Sequence, residues 1–148
     1  MPGPAVAVID RDPSQGAEDH FWTRERILGY AASAGFGPVK VVDGIYQLRG
    51  FDLGNITLIE GRSGWIVVDT LTTQETAAAA MAFARRHLGD KPVSAIVFTH
   101  SHVDHFGGAP GIVSAQDAAR RKLPIVAPAG FLEEATSENI LVGPAMGR

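Results

Sequence analysis

The 148-residue chain predicts an α/β fold, and three observations carry that reading. A capped helical segment lies between two apolar runs, Trp65 to Asp69 and Val93 to Phe98, which is the pattern of a right-handed βαβ unit. Short β-branched and aromatic runs joined by glycine turns precede it from Val39 onward. Helical and extended patterns then alternate toward the end of the chain.

Composition narrows the partners. Hydrophobic residues at 45% and charged residues at 20% are ordinary for one modest globular domain that buries its own core. A net charge of −3 leaves no basic stripe to track a phosphate backbone, so nucleic acid is not an expected partner. The absence of cysteine excludes disulfides and thiolate ligands, leaving imidazole and carboxylate for any metal chemistry. Ala5 to Ile9 is too short, and too poorly flanked by basic residues, to act as a signal peptide, and no stretch reaches membrane-span length. As written, the chain is expected in the cytoplasm; a longer native N-terminus would permit a periplasmic or secreted one.

Taken in order, residues 1–38 read as an arm rich in proline and aspartate with a candidate helix over residues 18–34. Phe21, Ile27, Leu28, Ala31 and Ala32 would form its apolar side, and Gly35 with Gly37-Pro38 would end it. His20 and Trp22 fit the packing of a helix end better than a ligand role. Val39 to Val42, Ile45 to Arg49 and Asn55 to Glu60 read as strands, separated by Asp43-Gly44 and by Phe51-Asp52-Leu53-Gly54. Gly61 to Gly64 makes a hairpin into Trp65 to Asp69, whose continuous apolar run Ile66-Val67-Val68 predicts a strand covered on both faces.

Thr72 with Glu75 reads as a capping box, and Ala77, Met81, Ala84 and Leu88 recur at helical spacing until Gly89 stops the helix. His87 falls in its last turn beside Arg85 and Arg86, where positive groups suit the helix dipole, and reads as surface. Val93 to Phe98 is the next strand. Ser114 caps a helix over Ala115 to Lys122, a strand follows at Ile125 to Ala127, and Phe131 to Leu141 closes the pattern as a helix with Glu133 and Glu134 in its first turn.

The chemistry is concentrated after the second strand of the βαβ unit. Thr99 to Gly108 reads Thr-His-Ser-His-Val-Asp-His-Phe-Gly-Gly, which places three of the five histidines and an aspartate within six residues. Alternate residues of an extended segment share a side, so His100 and His102 can aim at one ion. Asp104 and His105, at the next bend, can serve a neighbouring position. Two cations that share a hydroxide suit hydrolysis, because they lower its pKa and polarise the bond to be broken. Ligand sites in α/β sheets favour the carboxyl ends of strands, and Asp69 ends the adjacent strand near the same rim. Gly107 and Gly108 would let the backbone turn sharply and pack beneath the ligands.

The pattern HxHxDH after a strand and before a glycine pair resembles the metallo-β-lactamase superfamily. The flanks Ile45 to Leu53, Gly64 to Leu71, the loop with Phe106, and Phe131 to Ala135 with Ser137-Glu138-Asn139 resemble its linear alkylsulfatase branch, from about residue 39 to the end. The resemblance implies an αββα sandwich, of which residues 39–148 would be the N-terminal half, and hydrolysis of alkyl sulfate esters at a binuclear zinc centre. It implies that His100 and His102 hold one zinc and Asp104 and His105 the other, that Asp104 also takes the catalytic role of orienting the hydroxide or accepting its proton, and that Asp69 braces the loop from behind. Full-length members of that branch have further ligands and further domains downstream. The chain is therefore expected to be truncated or split, with weak zinc binding, little turnover and a tendency to self-associate. The alternatives are another hydrolase of the same fold, acting on an ester, thioester or lactam, and a non-catalytic zinc-binding fragment.

Overall fold

The short β-branched runs pair as their turns dictate. In the computed structural model, which describes residues 38–137, β1 (Val39–Val42), β2 (Ile45–Leu48), β3 (Ile56–Gly61) and β4 (Gly64–Val68) run antiparallel to their neighbours in sequence order. Next come β5 (Val93–Val97) and β6 (Ile125–Val126), each parallel to the strand before it, so the six-stranded sheet is mixed with order β1-β2-β3-β4-β5-β6. The α/β class read from the sequence is the observed one. The candidate helix over residues 18–34 and the stretch beyond Ser137 lie outside the described residues.

Helix α1 (Gln74–Leu88) makes the crossover from β4 to β5. Alanine dominates it, and Ala77, Ala79, Ala80, Met81, Ala82, Phe83 and Ala84 are all buried, so it is covered on more than one side. Met81 and Phe83 join Leu48, Ile56, Leu58, Val67 and Ile96 in the core. Fully burying each large apolar side chain stabilises by about 1.5–3 kcal/mol, so this contact is what fixes the helix to the sheet. The helix starts one residue later than expected. Thr73 is the N-cap, and its partner in a reciprocal box is Thr76, not a glutamate. Thr72 is unavailable because the Asp52 carboxylate accepts its N–H at 2.9 Å and its hydroxyl at 3.0 Å. Asp52 also accepts the Thr76 hydroxyl at 3.0 Å, so the loop between β2 and β3 ties down the helix start.

The double coverage expected for β4 is not observed. Trp65 and Val67 are buried, whereas Ile66 and Val68 on the opposite face stay partly exposed, as do Ile45, Ile59, Ala95 and Val97 beside them. The physical reason is that α1 covers one face, while the continuous apolar run records only that both faces are apolar. Val41, Val42, Ile125 and Val126, on the two outermost strands, are half exposed or more, at 51%, 55%, 50% and 54%. No helix among the described residues is long and apolar enough to cross a membrane.

Beyond β5 come the one-turn helix α2 (Val103–Phe106), a 3₁₀ turn (Ala109–Gly111), α3 (Ala115–Arg121) and α4 (Phe131–Ser137). Ser114 caps α3 as expected, accepting the Asp117 N–H at 3.1 Å, and Lys122 ends it in a left-handed conformation. Phe98, Phe106 and Phe131 pack together with ring centroids 5.3–6.2 Å apart, which pins α2 and α4 to the end of β5. The glycine pair acts by close approach, not by a special turn. Gly107 is right-handed at φ −60°, but a Cβ on Gly108 would sit 2.0 Å from the Thr70 carbonyl oxygen and 2.8 Å from the Ala77 Cβ. This contact seats the histidine loop on the start of α1.

Candidate metal centre

Strand β4 stops at Val68 because the chain turns sharply at Asp69, which is left-handed at φ 58°, and again at Leu71, at φ 65°. Asparagine and aspartate tolerate this region; a leucine there is held by its surroundings, and Leu71 is fully buried. The turn brings Asp69 beneath the loop after β5, where its N–H donates to the Val97 carbonyl at 2.9 Å. The Thr70 N–H then donates to the His105 carbonyl at 2.8 Å, and the Gly108 N–H to the Leu71 carbonyl at 2.8 Å. Residues 69–71 and 105–108 are thereby laced together backbone to backbone. A repeat of residue types does not reveal this lacing, although Asp69 at a strand end was the visible trace of it.

The loop differs locally from the extended segment expected. After Val97 the chain bends through Thr99 to Ser101, His102 is the N-cap of α2, and Asp104 and His105 lie within that helix. The rings still gather. His100 lies 4.6 Å from His102 and 4.0 Å from His105 between ring centroids. Asp69 holds His105 from behind, with Oδ2 2.8 Å from Nδ1, and is itself buried. It also accepts the Thr99 N–H at 2.8 Å on Oδ1 and the Thr99 hydroxyl on both oxygens. The bracing expected of Asp69 is thus present as hydrogen bonds.

Asp104 Oδ2 lies 3.3 Å from His105 Nε2. A neutral ring that donates from Nδ1 offers a lone pair at Nε2, and a carboxylate offers lone pairs as well. Two acceptors that face each other need a cation to share, either a proton or a metal ion. This contact, with three imidazoles gathered on one short loop, is the donor chemistry that fits a metal such as zinc. The described residues do not close the shell: no three of their His, Asp and Glu side chains form a group that could hold a metal ion. The structure brings His100, His102, Asp104 and His105 together pairwise. His87, read as surface, packs its ring against Phe83 at 4.3 Å and is exposed. Loop β2–β3 reaches the site from the other side, where a Cβ on Gly54 would lie 2.6 Å from the Asp104 carbonyl oxygen.

Fold and loop together define an α/β protein with an imidazole and carboxylate cluster at the rim of parallel strands. Residues 49–143 match the family described as the metallo-beta-lactamase superfamily, and the chain belongs to that superfamily. It is 44% identical over 139 residues to an (R)-specific secondary-alkylsulfatase of Pseudomonas sp, covering 94% of this chain and 20% of that protein. A linear primary-alkylsulfatase of Pseudomonas sp is 49% identical over 127 residues, covering 86% and 18%. The solved sec-alkylsulfatase Pisa1 from Pseudomonas sp. superposes with a TM-score of 0.70 at 47% identity, over 82% of this chain and 19% of that one. The chain spans about a fifth of the length of these relatives. The resemblance to alkylsulfatases read from the flanks is therefore found in both sequence and structure.

Proposed function

We propose that the chain carries the metal-binding loop of a zinc-dependent hydrolase that splits alkyl sulfate esters into an alcohol and sulfate, with water as the second reactant. The observation that supports it most is the facing of Asp104 Oδ2 and His105 Nε2 while Asp69 holds the far side of the same ring. On this reading His100 and His102 hold one zinc, and Asp104 and His105 the second. Bound zinc supplies a water of lowered pKa and polarises the ester oxygen. The chain's own part is positional. Asp69 and the Thr70 N–H keep His105 from turning away, and on this reading Asp104 holds a proton or orients the attacking water.

The sulfate half of such an ester suits a cationic centre, and its alkyl half needs apolar surface. An open cleft of about 360 Å³ next to Phe98 offers apolar surface from Phe98, Ile125, Pro128, Phe131 and Leu132, with Glu133 also in its lining. Phe98 is two residues from His100. The relatives named as alkylsulfatases favour the same substrate class.

The test is sulfate release from decyl sulfate by the zinc-loaded protein. Turnover should be slow, because this loop supplies four donors where two zinc shells draw on about six protein groups, so the assay is read as a ratio. Asp104→Asn should lower it by about 100-fold or more. Release that is unchanged in Asp104→Asn, or activity confined to a thioester or a lactam, would contradict the assignment.

A further inference from the structure

We propose that Thr99 is a positioning residue for His100, and that Asp69, directly and through Thr99, sets the ring tautomer of two imidazoles at once. Its use rests on the zinc reading above; its geometry does not. Thr99 Oγ1 lies 3.0 Å from Asp69 Oδ1, 2.8 Å from Asp69 Oδ2 and 2.9 Å from His100 Nδ1. A hydroxyl has one proton to give and lone pairs to receive. A carboxylate only accepts, so the Thr99 proton goes to Asp69. What remains on Oγ1 is a lone pair, and His100 must therefore donate to it from Nδ1.

His105 is treated the same way without an intermediary, since its Nδ1 lies 2.8 Å from Asp69 Oδ2. Both rings then carry their proton on Nδ1 and keep Nε2 as a lone pair. Their centroids are 4.0 Å apart, so one buried carboxylate prepares two neighbouring nitrogen donors. Zinc can bind them without first moving a proton across either ring, which is the benefit of a braced ligand. The hydroxyl is not needed to tie the loop down, because the Thr99 backbone N–H already donates to Asp69 Oδ1 at 2.8 Å. Threonine suits the task because its branched side chain is stiff at χ1 and keeps Oγ1 aimed.

Imidazole tautomers can be read by ¹⁵N–¹H NMR on the metal-free full chain labelled at histidine. In the wild type, His100 and His105 are both expected in the Nδ1–H form. Thr99→Val should move His100 toward the Nε2–H form that free imidazoles favour, leave His105 as it was, and weaken zinc binding by about 10–100-fold in a competition titration. Thr99→Ser should restore both readouts, and Thr99→Ala should repeat the valine result if the valine variant packs poorly. An unchanged His100 in Thr99→Val, or His100 and His105 shifting together, would overturn the proposal, because the second pattern is general loosening. Tautomers that respond as stated in a chain that binds no zinc would support the positioning and refute the zinc reading.

Discussion

Asp69→Ala is expected to lower the free energy of unfolding by about 3–5 kcal/mol. The carboxylate is buried and accepts from the Thr99 N–H, the Thr99 hydroxyl and His105 Nδ1, so its removal leaves three donors without their acceptor. Each hydrogen bond to a charged group contributes about 1.5–3 kcal/mol, and partial relaxation keeps the sum below the simple total. Alanine is also a poor occupant of φ 58°. Asp69→Asn separates the effects. It tolerates the backbone and keeps one acceptor for Thr99, so it should lose less stability. Its amide would nonetheless present donors to His105 Nδ1 and push that ring's proton to Nε2, so zinc affinity should fall further than stability does. Urea unfolding and a zinc titration on both variants check this pair, and an alanine variant within 1 kcal/mol of wild type, by that approximate scale, would remove Asp69 from its central place.

Gly108→Ala should cost about 3 kcal/mol, at the upper end of ordinary overpacking. The added Cβ would meet the Thr70 carbonyl oxygen at 2.0 Å, the Thr73 carbonyl oxygen at 2.7 Å and the Ala77 Cβ at 2.8 Å. Two of these are backbone atoms, one in the turn after β4 and one at the N-cap of α1, and cannot swing aside. The loop must lift, and His105 with it, so zinc binding should weaken in parallel. Gly130→Ala is the comparison. Nothing lies within 4 Å of its added Cβ, and only its left-handed φ of 79° opposes the change, at about 1–2 kcal/mol. Thermal melts of the two variants, with the Gly130 change the milder, would confirm that close approach and not backbone freedom explains Gly108.

Those two residues also show what the sequence could reveal. The histidine loop was legible because its ligand types sit within six residues after a strand, and local spacing survives without knowledge of the fold. Strands β1 to β5 and α1 were legible for the same reason, since period and turn chemistry are local. Asp52 was not. Its hold on Thr72 and Thr76 spans 20 and 24 residues, and no pattern of residue types announces it. The apolar run Ile66-Val67-Val68 records what a strand could bury and not what covers it, so the partial exposure of Ile66 and Val68 was to be expected only from the resemblance to a larger two-layered fold. Asp69 lay between these cases: its strand-end position was visible, while its left-handed turn and its three donors depend on β5 lying alongside.

Zinc retained after dialysis tests the central claim most directly. The wild-type chain should hold zinc that a chelator removes, and the double variant His100→Ala with His102→Ala should lose most of it while still unfolding cooperatively. Equal zinc in the two proteins would mean that the loop at the end of β5 is not the metal centre.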